Sequence, residues 1–327
     1  MAEVRNMNML EALGDALDLY LAREPSSVIL GEDVGHFGGV FRVTAGLQEK
    51  YGEDRVIDTP LAEAGIVGMA IGMALADMRP IVEIQFADFV FPAVDQIVNE
   101  LAKYRYRSGG QYAPKVVIRM PYGGGIRGGH YHSQSPEAYF VHTPGLRVVV
   151  PSGPYQAKGL LLAALEATDP VIFLEPKRFY RAVKADVPKE YYTLPLGRAN
   201  VVRAGTDLTL VAYGAMVHTA AEAAVLAEGE GYDVELIDLQ SLLPYDLESV
   251  LFSVAKTGRM VVAHEAPRIG GFAGELIAAV QEKAFGTLEA PLLRVTGFDT
   301  PFPYTLEDHY LPSAERIFEA IVRTIEF

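Results

Sequence analysis

Arg55-Val-Ile-Asp-Thr-Pro-Leu-Ala-Glu63-Ala-Gly-Ile-Val-Gly-Met-Ala-Ile-Gly-Met-Ala74 passes from a short β-type run into a helix. Thr59-Pro60 marks the helix start, with proline in the first turn. Beyond Glu63 the helix is apolar on every side, which predicts burial. Pro80-Ile-Val-Glu-Ile-Gln85 then reads as a second strand, followed by a helix through Val94 to Tyr106. A strand, a buried helix and a strand in succession form the unit of a parallel sheet covered by helices on both faces.

The alternation extends in both directions. Val28-Ile-Leu30 precedes it, and Lys115–Arg119, Leu146–Val150 and Pro170–Leu174 continue it. Periodicity lapses from Lys177 to Leu196, where Lys184, Asp186, Pro188, Lys189, Glu190 and Pro195 suit an interdomain linker. A second series follows, with strands at Asp207–Ala212, Asp233–Asp238 and Arg259–Ala263. Its helices are expected at Val217–Glu230, Asp246–Thr257, Gly274–Phe285 and Ser313–Ile325. The expected organisation is α/β, with two parallel-sheet domains: residues 1–185, a linker at 186–197, and residues 198–327.

Bulk composition agrees with two domains, because single cores stop growing at about 250–300 residues and this chain has 327. It carries 28 Lys+Arg against 42 Asp+Glu, a formal net charge of −14, which argues against a nucleic-acid or anionic-membrane surface. Cysteine is absent, so disulfides, thiolate zinc sites, iron–sulfur clusters and thiol nucleophiles are excluded. Met1-Ala-Glu-Val-Arg has no apolar run and does not read as a secretory leader. The longest apolar stretch, Ile66–Ala76, falls far short of the ~18 residues of a membrane span. A cytoplasmic, soluble protein is expected.

Three segments could carry chemistry. Glu63 opens an apolar helix in which Gly65, Gly68 and Gly72 make a bare face that admits a ring or another backbone. A buried carboxylate there needs a partner or a raised pKa, whereas a solvated one would simply favour the helix dipole. Ile84-Gln-Phe-Ala-Asp-Phe-Val-Phe-Pro92 ends a strand in three phenylalanines around Gln85 and Asp88, either core aromatics or a wall for a flat ring at the sheet's carboxyl edge.

Tyr122-Gly-Gly-Gly-Ile-Arg-Gly-Gly-His-Tyr-His-Ser-Gln-Ser-Pro-Glu137 is the richest. So many glycines cost conformational entropy, and the segment fits neither a P-loop nor a dinucleotide fingerprint. In an extended setting His130 and His132 face opposite ways. One of them is a candidate general acid–base, while a zinc pair lacks a third ligand here. In the second half, His264-Glu-Ala-Pro267 with Gly270–Gly274 reads as an interdomain contact loop or an anion site at a helix start. Gly297–Pro303 reads as a rigid turn in a structural or subunit contact.

Together these residues resemble the β subunits of the decarboxylating component of 2-oxo acid dehydrogenase complexes. The resemblance spans the chain through Gly31-Glu-Asp-Val-Gly35 with Gly39-Val-Phe41, Asp58–Gly68, Glu83–Asp88, Tyr104–Gly109, His132–Glu137, Lys256–Arg259, His264–Pro267 and Phe298–Pro301. It implies a thiamine diphosphate enzyme of α2β2 form, with a pyrimidine-binding domain and a transketolase-like C-terminal domain in this chain. Glu63 matches the glutamate that hydrogen-bonds the cofactor's aminopyrimidine nitrogen, and Glu32 a carboxylate supporting that ring. Leu61, Ala62 and Gln85 match residues lining it, and Phe89 the aromatic packed on it, where many relatives have Tyr. His132 matches the histidine that handles protons during decarboxylation or acyl transfer to lipoamide. His130 and Phe89-Val90-Phe91-Pro92 are expected to border the substrate.

The Gly-Asp-Gly signature that holds diphosphate and Mg²⁺ in this family is missing, so a partner α subunit must supply it. The motifs Tyr131–Tyr139 and Glu83–Asp88 look more like branched-chain members than pyruvate members, with pyruvate or acetoin dehydrogenase as the alternative. Acyl transfer then implies a lipoyl acyltransferase core as a further partner. Branched-chain relatives also hold K⁺ through loops matching Pro114–Val117 and Ala164–Asp169, although Ala167 stands where one acidic ligand is expected. The rival from another class, a non-catalytic α/β binding or scaffold protein, leaves Glu63, the histidine loop and the phenylalanine wall as unrelated accidents.

Overall fold

Asn8 starts the first long helix by accepting from Glu11 N, while the Glu11 carboxylate accepts from Asn8 N, so two otherwise orphaned donors are satisfied. The computed structural model describes residues 3–327. Met1 and Ala2, part of the stretch read as lacking a leader, lie outside the described residues. Two compact units are present: one runs up to Tyr122 and resumes over Tyr139–Leu196, and the other comprises Gly123–Ala138 and Gly197–Phe327. The glycine–histidine segment thus packs with the second unit, whereas the sequence reading set it within the first.

In the first unit, strands Val56–Asp58, Ser27–Gly31, Arg79–Glu83, Val117–Tyr122, Val171–Pro176 and Arg147–Val149 are neighbours in that order and all parallel. Their fully buried side chains, such as Ile29, Val82, Ile118 and Ile172, are what a sheet covered on both faces requires. Helices Met9–Arg23 and Pro154–Glu166 pack on each other and share a core with Ile29, Ile81 and Phe173. The expected linker is partly a strand: Lys184–Pro188 pairs antiparallel with Val4–Asn8. No regular helix runs from Val94 to Tyr106; a π-turn at Gln96–Glu100 and a 3₁₀ turn at Leu101–Lys103 interrupt it.

The second unit orders its strands Leu293–Val295, Met260–Ala263, Leu208–Ala212, Val234–Asp238 and Asn200–Arg203, parallel except for the last. Asp246 and Ser313 cap helices Leu247–Thr257 and Ala314–Ile325 through their side chains. Gly258, at φ 67°, ends the former in the left-handed region. Among the described residues no helix is long and apolar enough to cross a membrane.

Candidate active site

The helix Glu63–Leu75 starts after a gap of four residues from the end of Val56–Asp58, so Thr59-Pro60 precedes it rather than opening its first turn, and it is not buried all round. Ile66, Val67, Ala70 and Ile71 face the core, whereas Gly65, Gly68, Met69 and Gly72 are exposed. A Cβ added at Gly68 or Gly72 would meet nothing within 4 Å. The glycines therefore leave an open strip along an apolar helix in this chain.

Glu63 lies at the head of that helix with 9% of its surface exposed. Among the described residues its carboxylate has no hydrogen-bonding or ion-pairing partner. Glu32 stands near enough to feel its charge: burial first, then Glu63 and Asp33, push the Glu32 carboxyl above its ordinary value. Gln85 Nε2 donates to Asp33 Oδ2 at 3.4 Å, tying the end of one strand to the loop after another. Leu61 is 79% exposed and Ala62 is exposed beside it. Phe89, half-buried, meets Phe86 edge-to-face at 5.4 Å, and Phe86 in turn meets Phe41. Phe91 and Pro92 are exposed, with Phe91 edge-on to Tyr139, but Val90 has no accessible surface and points into the core. The fold thus brings Glu32, Glu63, Gln85 and Phe89 to the carboxyl ends of neighbouring strands and turns Val90 away.

Beneath them lies a buried ionic network absent from the sequence reading. Arg119 Nη1 donates to Glu83 Oε2 at 2.9 Å and Nη2 donates to Glu175 Oε2 at 3.1 Å. Tyr180 adds its hydroxyl to Glu175 Oε2 at 2.5 Å. Burial works against the Arg119 charge, yet Glu175 and Glu83 hold its pKa above the ordinary value.

His130 and His132 belong to the second unit. The segment is not extended there: Gly129–Tyr131 forms a 3₁₀ turn, so the expected alternation of the two rings does not hold. His130 is exposed and lies on Tyr131 at 4.0 Å, while His132 is half-buried. Backbone N–H groups of a glycine loop need acceptors, and three carboxylates supply or flank them. Glu265 accepts from Gly124 N at 2.8 Å, Glu307 from Gly125 N at 3.0 Å and Arg127 N at 3.1 Å, and Glu137 closes the segment. The signal for Glu265 was visible as an acid directly after a strand; Glu307 carried none.

One of the loops matched to K⁺ sites in relatives is Ala164–Asp169. Asp169 accepts from Arg105 at 2.5 Å and from Arg147 at 3.3 Å, and Ala167 brings no side-chain oxygen. Among the described residues no cluster of three His, Cys, Asp or Glu could bind a metal.

A parallel sheet whose carboxyl edge presents paired acids and an aromatic, joined to a second α/β unit, defines a transketolase-type fold. Residues 5–183 match the transketolase pyrimidine-binding domain and residues 197–317 the transketolase C-terminal domain. The chain is 52% identical over 327 residues to the mitochondrial 2-oxoisovalerate dehydrogenase subunit beta of Dictyostelium discoideum, covering 99% of this chain and 88% of that one. It is equally 52% identical to the pyruvate dehydrogenase E1 component subunit beta of Acholeplasma laidlawii, with 95% of each covered. A solved split-gene transketolase, described as an inactive β4 tetramer, superposes with a TM-score of 0.79 at 25% identity over 98% of this chain and 99% of that one. The chain belongs to the family of 2-oxo acid dehydrogenase β subunits, oxidoreductases that depend on thiamine diphosphate.

Proposed function

We propose that this chain, with an α subunit in an α2β2 assembly, oxidatively decarboxylates branched-chain 2-oxo acids and passes the acyl group to lipoyl groups of an acyltransferase core. The observation that carries the chemistry is Glu63, a buried carboxylate without a partner in its own chain at the head of an apolar helix. Such a group is costly unless something arrives to share a proton with it. The aminopyrimidine of thiamine diphosphate has the ring nitrogen to do so, and Glu32, Leu61, Ala62, Gln85 and Phe89 would complete its surroundings. When bound, the cofactor supplies the carbon nucleophile and the electron sink for loss of CO₂.

The residues then divide the work. Glu63 would share a proton with the pyrimidine nitrogen, and its burial would make that hydrogen bond stronger than it would be in water. Glu32, whose carboxyl is raised above its ordinary value by burial and by the Glu63 charge, stands beside it. Phe89 packs on the ring and needs no hydroxyl for that. His132 moves a proton near the acyl group, and His130, Phe91 and Pro92 border the substrate. Diphosphate and Mg²⁺ fall to the α subunit, since this chain has no Gly-Asp-Gly. The exposed Gly68–Met69–Gly72 strip supports a second polypeptide lying there. The cytoplasm is the proposed compartment.

The branched-chain preference draws on the Tyr131–Tyr139 motif and on relatives named for 2-oxoisovalerate; the pyruvate alternative draws on the Acholeplasma relative. Purifying the tagged chain with its copurifying subunit and assaying 4-methyl-2-oxopentanoate against pyruvate, with thiamine diphosphate, Mg²⁺ and an artificial electron acceptor, decides between them. Faster turnover of the branched acid is expected. A preference for pyruvate would move the assignment to the alternative, and turnover of neither would overturn both.

A further inference from the structure

The segment carrying His130 and His132 is pinned at both ends by acids of the second unit. At its start, the Glu265 carboxylate lies so close to Gly123 that an added Cβ would sit 2.6 Å from Oε1. At its end, Glu137 is wholly buried and accepts the Tyr213 hydroxyl at 2.7 Å through Oε1. Glu137 Oε2 has no partner among the described residues.

We propose that Glu137 and Tyr213 are a positioning pair for the His132 segment and act on it as a pH-sensitive latch. The proposal rests on the reading of His132 given above. Three titratable groups, Glu265, Tyr310 and His264, face the pair. Tyr213 follows the strand Leu208–Ala212, and Glu265 follows Met260–Ala263. Tyr310, in the short helix Glu307–Tyr310, is raised to about 12 by burial and by the charges of Glu265 and Glu137. His264 stacks on Tyr213 with ring centroids 5.9 Å apart. Burial lowers His264 to about 4, so it brings no positive charge near neutrality. No cation among these groups offsets an ionised Glu137.

An ionised Glu137 would leave a charged oxygen buried without a donor, which is costly. Burial, reinforced by Glu265 and opposed by the Tyr213 hydrogen bond, lifts Glu137 to about 7. Below that pH the neutral carboxyl keeps its bond to Tyr213. Above it, Glu137 confronts Glu265, and like charges push apart the anchors of the two ends of one loop.

Hydrogen exchange over residues 123–137 in the coexpressed α/β assembly tests this directly, with intrinsic rates corrected. Wild-type protection is expected to fall about tenfold between about pH 6 and about pH 8, and Glu137→Gln to hold it level. Tyr213→Phe removes a donor that favours the ionised form, so its transition moves to higher pH. Level wild-type protection, or an unchanged transition in Glu137→Gln, overturns the proposal. If Glu137→Gln fails to assemble, an unmoved midpoint in Tyr213→Phe overturns it alone. Exchange reads no turnover, so an inactive His132 assignment would leave this result intact, and the reverse holds equally.

Discussion

Arg119 Nη1 lies 2.9 Å from Glu83 Oε2, with 1% of the Arg119 side chain and 6% of the Glu83 side chain exposed. Glu175, also fully buried, shares the same guanidinium, so one cation serves two carboxylates under the strand end that leads to Gln85 and Phe89. Arg119→Met would strand both acids in the sheet and is expected to cost about 3–5 kcal/mol. Denaturant unfolding of the assembly measures this, and Arg119→Met combined with Glu83→Gln should recover part of the loss. A single variant as stable as wild type would contradict the reading.

Gly123 takes φ 81°, and its missing Cβ is the space that the Glu265 carboxylate fills. Gly123→Ala meets both backbone strain and that contact, with an expected cost of about 1–3 kcal/mol. Thermal unfolding should fall, and acyl transfer should fall more steeply than stability, because the strain enters at the histidine segment.

Stability should depend on pH through Glu137. The folded protein holds this proton to about pH 7, above the ordinary 4.5. The resulting stabilisation is full below about 4.5 and is lost as pH rises through about 7, up to about 3 kcal/mol. Glu137→Gln should therefore melt higher than wild type at pH 8 by more than it does at pH 5. Comparing the two proteins at each pH cancels the separate contribution of His264. A gap that stays constant with pH would count against it.

Much of this fold was legible because buried parallel strands are short apolar runs, as at Val28–Leu30 and Val234–Asp238, and because helix caps such as Asp246 and Ser313 mark their own ends. Glu63 was legible for the same reason: one acid stands out at the start of an apolar helix. The exposure of Gly65, Gly68 and Gly72 was not, because an all-apolar pattern cannot tell core from a face left for another molecule. The strand pair Val4–Asn8 with Lys184–Pro188 escaped because it is mixed in polarity and joins residues far apart in sequence. Arg119, Glu137, Tyr213 and Glu307 escaped for a related reason. Their partners are set by tertiary approach, and no local spacing announces them.

His132→Ala should separate two half-reactions. With an artificial acceptor the variant is expected to retain measurable decarboxylation, while acyl transfer to a lipoyl domain falls by about 10²–10⁴. Unchanged folding by circular dichroism with normal transfer to the lipoyl domain would remove His132 from the site.

The central claim, that Glu63 activates the cofactor, is tested most directly by Glu63→Gln in the coexpressed α/β assembly. Release of CO₂ from carboxyl-labelled 4-methyl-2-oxopentanoate at saturating thiamine diphosphate and Mg²⁺ is the measurement. The variant is predicted to assemble and melt normally yet release CO₂ at least about a hundredfold more slowly. Release within a few-fold of wild type would contradict the account.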